Sequence, residues 1–176
     1  MRSIKDELKS LQNNPHIDNK YLLLLLKRIE KNKKLLKQEG VHDHFSSLFV
    51  PANIQKRKIF LVHHKKAGSW IPPGGHIELG ETPVQTVKRE FHEELGFTLT
   101  NEKIQLFSAS TYVLKKDPFC KIHYDIWYLV YMDKITTFRL DKREFYDGSW
   151  IDFKDIVKKV KTKEFKPILK QIALLK

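Results

Sequence analysis

Residues 75–97 read GHIELGETPVQTVKREFHEELGF and place three carboxylates, Glu90, Glu93 and Glu94, behind a glycine-bearing loop and within one short helix. The ends of that helix are written in ordinary signals. Thr82 is a capping residue, Pro83 suits the first helical position, Gln85 completes a capping box, and Gly96 is placed to end the helix in a left-handed turn. The spacing therefore predicts a helix of about fourteen residues. Val84, Val87, Phe91 and Leu95 form its buried stripe, while Glu90 and Glu94, four apart, stack on a neighbouring face with Glu93 a little further round. Like charges at this spacing weaken a helix by some tenths of a kcal/mol per pair, so clustering them calls for a compensating cation. A hard divalent ion, Mg²⁺ or Mn²⁺, takes oxygen ligands and commonly keeps several waters, which leaves room for phosphate oxygens and an attacking water.

These residues resemble the Nudix box in full. The family pattern runs Gly, five residues, Glu, seven residues, Arg-Glu-apolar-x-Glu-Glu-x-Gly-apolar, and its positions here are Gly75, Glu81, Arg89, Glu90, Phe91, Glu93, Glu94, Gly96 and Phe97. Phe91 is the one mild departure, since the family more often has an aliphatic residue there. The resemblance implies a metal-dependent hydrolase that cleaves a phosphoanhydride bond in a nucleoside diphosphate linked to another group. It also implies metal ligation by Glu90, Glu93 and Glu94, with catalysis by Glu93 and Glu94. Arg89 and Glu81 are expected to support the loop by pairing, along with Gly74, Gly75 and Gly96. In several members an acidic residue ahead of a late strand adds a metal ligand or the general base. Glu144, six residues before Trp150, is the candidate for that role, and a solvated loop glutamate is the plain alternative.

Composition bounds the rest. With 176 residues, 41% hydrophobic and 31% charged, the chain suits one well-packed domain plus an appendage. The single Cys120 makes no internal disulfide and reads as a small packed side chain, which fits a reducing, cytoplasmic setting. The apolar run at residues 21–26 is far too short to span a bilayer. The net charge of +12 raises nucleic acid as a partner, but the excess is spread along the chain and Lys-dominated, without an arginine-rich run or a zinc-finger spacing. A small nucleotide-type substrate is the expected partner, and nucleic acid the less favoured one. RNA 5′-end pyrophosphohydrolysis and noncatalytic nucleotide sensing are the alternative functions.

The chain divides near Gly40 into an N-terminal helical extension, residues 1–40, and a catalytic domain, residues 41–176. Ile4, Leu8 and Leu11 mark one helix; Leu22, Leu25, Leu26, Ile29 and Leu36 mark a second from near Asp18. Leu23 and Leu24 widen its apolar surface, so it is expected to pack on two sides, against the catalytic body or a second copy in a homodimer. Strands are predicted at residues 44–51, 58–63, 104–114, 122–132 and 149–151, with the Lys115-Lys116-Asp117-Pro118 stretch breaking a hairpin-like pair. A short helix near Asp152 and a last one over 163–175, with Phe165, Ile168, Leu169 and Ile172 on one face, complete the order. Strands around a central helix with helices at both ends fit an α/β/α sandwich around a mixed sheet, the fold the resemblance also implies.

The remaining residues carry weaker signals. Trp70 and Trp150 read as packing. His42, His44, His63 and His64 resemble metal ligands by residue type, but alternating or adjacent histidines on a strand point to opposite faces or into solvent, which argues against a shared ion and leaves some of them to line the substrate cleft. The resemblance places His123-Tyr124-Asp125 near substrate in some members. Tyr112, Phe119, Tyr124 and Trp127 are candidates to stack on a base, though core packing is the expected fate of most.

Overall fold

The computed structural model describes residues 3–31, 34–114 and 119–176. It opens with α1 (Ile4–Ser10) and α2 (Asn19–Lys31). Ser3 caps α1 in a reciprocal box with Asp6, and the Asp18 carboxylate accepts the Lys20 N–H at the start of α2 at 2.8 Å. Helix α2 stops short of Leu36, which the apolar spacing had assigned to it. Leu36 instead precedes a 3₁₀ turn, Lys37–Glu39, where the Glu39 carboxylate accepts the N–H groups of both Leu35 and Leu36 at 2.7 Å. A local side chain taking up backbone donors competes with helix continuation.

Leu8, Leu11, Leu22 and Leu25 are buried in the same core cluster as Phe45, Phe49 and Phe91, so both helices dock on the body. Polar ties reinforce the docking: Ser108 Oγ donates to the His16 carbonyl at 2.7 Å, Tyr21 pairs with Thr111, and Arg28 meets Asp43 at 2.9 Å. Leu23 and Leu24 are 54% and 63% exposed, so within the chain α2 packs on one side only. Limited proteolysis is expected to spare residues 4–31, because opening them would expose this leucine face to water. Rapid cleavage throughout the segment, leaving a stable and fully active remainder, would refute the docking.

The body continues through β1 (Asp43–Asn53), β2 (Lys58–His64), β3 (Ser69–Ile71), β4 (Gly74–His76), α3 (Pro83–Leu95), β5 (Ile104–Val113), β6 (Ile122–Tyr131) and β7 (Phe145–Asp152). It closes with α4 (Ile156–Lys159) and α5 (Lys166–Ala173). Strands β3 and β4 were not foreseen, since three residues beside glycines and prolines show no alternation. Strand β7 begins four residues ahead of the expected 149–151, and α5 is shorter than 163–175. The antiparallel β5–β6 pair forms as expected, whereas residues 115–118 lie outside the described residues.

The sheet is mixed. β1 runs parallel to β6 along its length, from Asp43↔Ile122 to Ala52↔Tyr131. Its other edge is shared between β4, at Ser46↔His76 to Leu48↔Gly74, and the start of β2. β2 in turn pairs antiparallel with β3 and β7. Period-two alternation splits the core into two layers. Phe45, Phe49, Phe60, Val62, Ile126 and Tyr128 face α1, α2 and α3; Leu48, Val50, Ile59, Leu61, Trp127 and Leu129 face α4 and α5 with Phe165, Leu169 and Ile172. Helices thus flank both faces, giving the α/β/α sandwich with two leading helices.

Candidate active site

Helix α3 has the termini its sequence dictates. Thr82 Oγ1 accepts the Gln85 N–H at 3.3 Å, Gln85 accepts the Thr82 N–H at 2.8 Å, and Gly96 takes φ 61° while donating to the His92 carbonyl. Val87, Phe91 and Leu95 are fully buried, and Phe91 stacks on Phe49 with ring centroids 5.0 Å apart. This anchorage turns Glu90 and Glu94 toward β4 and leaves Glu93 outside.

Glu94 is 3% exposed and accepts the Gly74 N–H at 2.8 Å. Burial pushes its carboxyl well above the usual carboxylate range, and the charges of Glu90 and Glu144 push the same way. Burial also raises Glu90, with hydrogen bonding from Arg89 as a partial offset. Glu93 is half exposed, and Glu144 is exposed with its backbone held by Lys65 N–H at 2.8 Å and its own N–H bound to the Asp141 carbonyl. The structure therefore brings Glu144 into electrostatic range of both Glu90 and Glu94, which no local sequence signal could place.

Arg89 is the hub of the loop. Its Nε and Nη2 bind both oxygens of Glu81 at 2.7 and 3.0 Å, its Nη1 donates to Glu90 at 2.7 Å and Glu93 at 3.2 Å, and Nη2 also reaches the His76 carbonyl at 3.0 Å. Those bonds hold the Glu81 carboxyl below its ordinary value, helped by the Thr86 hydroxyl at 2.8 Å, while Glu81 foremost raises the guanidinium. Glycines 74 and 75 make the approach possible. Gly74 sits at φ 146° with its position against the Ser47 carbonyl, and a Cβ on Gly75 would meet Glu90 Oε1 at 1.8 Å. Gly75→Ala is accordingly expected to lower turnover by at least tenfold, about 1.4 kcal/mol of barrier, while circular dichroism shows the fold retained. Full activity in that variant would show that the placement of Glu90 is immaterial.

The aromatic candidates separate by burial. Trp127 is fully buried and donates to Ser110 Oγ at 2.8 Å, Tyr112 packs on Phe165, and Tyr124 tilts against Phe45 beneath Arg28, whereas Phe119 is 72% exposed. Trp70 packs between His63 and the Lys159 ammonium, and Trp150 donates to the Thr136 carbonyl at 2.8 Å. Asp125, fully buried on β6, receives the hydroxyls of Ser46 and Ser110 from both neighbouring strands.

Strand alternation argued against His44 as a ligand, yet the structure groups it with three residues that the sequence did not connect to it. His44, His76, Cys120 and His123 converge, with a ligand-type atom from each lying within 4.8 Å of the others. His44 is completely buried rather than turned to solvent. The four come from three strands and a loop, at spacings that match no short metal-binding pattern.

Among the described residues no helix is long and apolar enough to cross a membrane. A domain profile described as the NUDIX domain matches residues 43–172. The probable DHNTP pyrophosphohydrolase of Lactococcus lactis is 48% identical over 40 residues, 23% of this chain and 24% of that protein, so the chain matches about a quarter of that relative's length. An RNA pyrophosphohydrolase of Francisella tularensis subsp. mediasiatica is 24% identical over 111 residues, 56% of this chain and 72% of that protein. In three dimensions the dihydroneopterin triphosphate pyrophosphohydrolase of E. coli superposes with a TM-score of 0.66 at 15% identity, covering 74% of this chain and 94% of that one. With the profile spanning most of the chain, and the fold and the acidic helix α3 in agreement, the chain belongs to the NUDIX hydrolase family.

Proposed function

We propose that this chain is a divalent-cation-dependent nucleotide pyrophosphohydrolase that cleaves a phosphoanhydride bond in a nucleoside diphosphate linked to another group. The observation that carries the reading is the pair of carboxylates, partly buried Glu90 and buried Glu94, pressed against the Gly74–Gly75 backbone with Glu93 and Glu144 beside them. Two like charges, one buried and one partly buried, with a single guanidinium shared among four acceptors are costly unless a cation joins them. The donor set is all oxygen, which fits Mg²⁺ or Mn²⁺. Glu90, Glu93, Glu94 and Glu144 would hold that ion. When bound, it supplies positive charge for the phosphate oxygens and lowers the pKa of the attacking water.

The chain's own residues do the positioning. Arg89 fixes Glu90 and, through Glu81 and the His76 carbonyl, the loop that frames the site. Gly74 holds Glu94 by its N–H. One glutamate left out of the ligand set, Glu144, which is exposed and outside the Arg89 network, or Glu93 or Glu94, takes the proton of the attacking water at a carboxylate oxygen and passes it to solvent. No covalent enzyme intermediate is required. Within the N-terminal extension, residues 1–40, the described helices α1 and α2 act as a docked brace on the catalytic domain, residues 41–176.

A substrate panel with Mg²⁺ and Mn²⁺, run in isotopically labelled water, tests this. Two phosphate-bearing products with label on one of them are expected; absence of phosphoanhydride cleavage with either ion would overturn the reading. A second reading, action on an RNA 5′ end, is favoured by the Francisella relative and by the +12 charge. It predicts a steep fall of activity with salt on RNA but not on small nucleotides. A purely sensing role fits poorly with a full set of site carboxylates.

A further inference from the structure

We propose that His44, His76, Cys120 and His123 form a second, structural metal site that takes a Zn²⁺-class ion and pins the glycine loop of the active site to the sheet. Three imidazoles and one thiol are four donors of the nitrogen and sulfur types that tetrahedral zinc takes, and softer than the all-oxygen set at α3. The two groups would therefore select different metals.

Geometry supports the assignment. With Zn–N near 2.0–2.1 Å, two tetrahedral nitrogens sit about 3.3 Å apart, and a nitrogen and a thiolate about 3.6 Å apart. The structure has His76 Nε2 and His123 Nε2 3.3 Å apart and Cys120 Sγ 3.9 Å from His76 Nε2. The three rings surround a common centre at centroid separations of 4.8, 4.9 and 5.1 Å, tilted at 67°, 49° and 86° rather than stacked flat. His44 Nδ1 lies 3.1 Å from the Val41 carbonyl, the outer bond that fixes a ligand imidazole with Nε2 as its coordinating atom. Burial favours a structural role over a reactive one, since His44 is 0% and Cys120 2% exposed while His76 and His123 are partly buried.

Topology explains what such a centre would do. His44 and His123 are register partners on the parallel strands β1 and β6. His76 ends β4, next to Gly75, and its carbonyl anchors Arg89. Cys120 lies in the chain entering β6, where the Lys121 N–H binds the His42 carbonyl at 2.8 Å. One ion would thus join two central strands, the β5–β6 connection and the loop beneath Glu90. On binding, the Cys120 thiol proton leaves to solvent and the thiolate becomes the fourth ligand.

Elemental analysis of protein purified without chelator should find about one zinc per chain, and the Glu94→Gln variant should retain it, separating this centre from the carboxylate site. Metal-free protein titrated with Co²⁺ should develop the sulfur-to-cobalt charge-transfer absorption and the intense visible bands of tetrahedral coordination. Cys120→Ser should lose the charge-transfer band and bind Zn²⁺ at least tenfold more weakly. The Co²⁺ spectrum of the unaltered chain needs no variant to fold. Protein that takes up no Zn²⁺ or Co²⁺ at micromolar concentration, or takes Co²⁺ without a sulfur band, would overturn the proposal.

Discussion

Replacing Glu94 with Gln is expected to reduce turnover by at least about a hundredfold, close to 3 kcal/mol of barrier, while leaving the metal-free protein as stable as before or slightly more so. The two effects have opposite signs because one carboxylate serves two balances. In the folded apo chain its charge is buried beside Glu90 and within reach of Glu144, so ionisation is disfavoured there. Gln keeps an oxygen for the Gly74 N–H and removes the charge, relieving the Glu90–Glu94 repulsion by a few tenths of a kcal/mol and part of the desolvation cost besides. The melting temperature without metal should hold or rise by about 1–2 °C for a chain of this size. Added Mg²⁺ or Mn²⁺ should raise the melting temperature of the unaltered protein more than that of the variant, since an ion bound only to the folded state stabilises it by mass action. Turnover on a confirmed substrate and melting curves with and without metal decide the matter. Normal turnover by the Gln protein would remove Glu94 from the ligand set.

Arg89→Ala should damage stability and activity together. The side chain makes bonds to three carboxylates and one carbonyl, and the side chains of Arg89, Glu81 and Glu90 are only 22%, 19% and 13% exposed. Removing one member of a fully buried ion pair costs 3–5 kcal/mol, and this partly exposed network should lose about 2–3 kcal/mol. That corresponds to a drop of about 5–10 °C in melting temperature. With the His76 carbonyl and Glu90 released, misplacement of the loop should lower turnover by about a hundredfold. Arg89→Lys restores the charge but not the planar fork that grips Glu81 through both oxygens, so it should recover part of the stability and little of the activity. Differential scanning calorimetry with steady-state kinetics on the three proteins tests this. An Ala variant that melts and turns over normally would reduce Arg89 to a surface residue.

The sequence by itself determined what depends on neighbours a few residues apart. Thr82, Pro83, Gln85 and Gly96 bound α3 because capping is a contact between near positions, and the 3.6-residue repeat put Phe91 inward and Glu90 with Glu94 on one side. Runs of aromatic and β-branched residues marked β5 and β6, the loss of helical spacing after Gly40 marked β1 and β2, and the leucines of α1 and α2 announced a docked face. Where local rules competed, periodicity misled: Leu36 left the helix for the turn that Glu39 caps. Only the tertiary structure decided the rest. The parallel pairing of β1 with β6 joins Asp43 to Ile122, and its register rather than any spacing sets His44 beside His123. The fold of β4 across β1 brings His76 to them and Gly75 under Glu90. The turn before β7 carries Glu144 toward two carboxylates some fifty residues earlier in the chain. Such meetings are fixed by burial of whole sheet faces, a collective free energy that no short stretch of sequence contains.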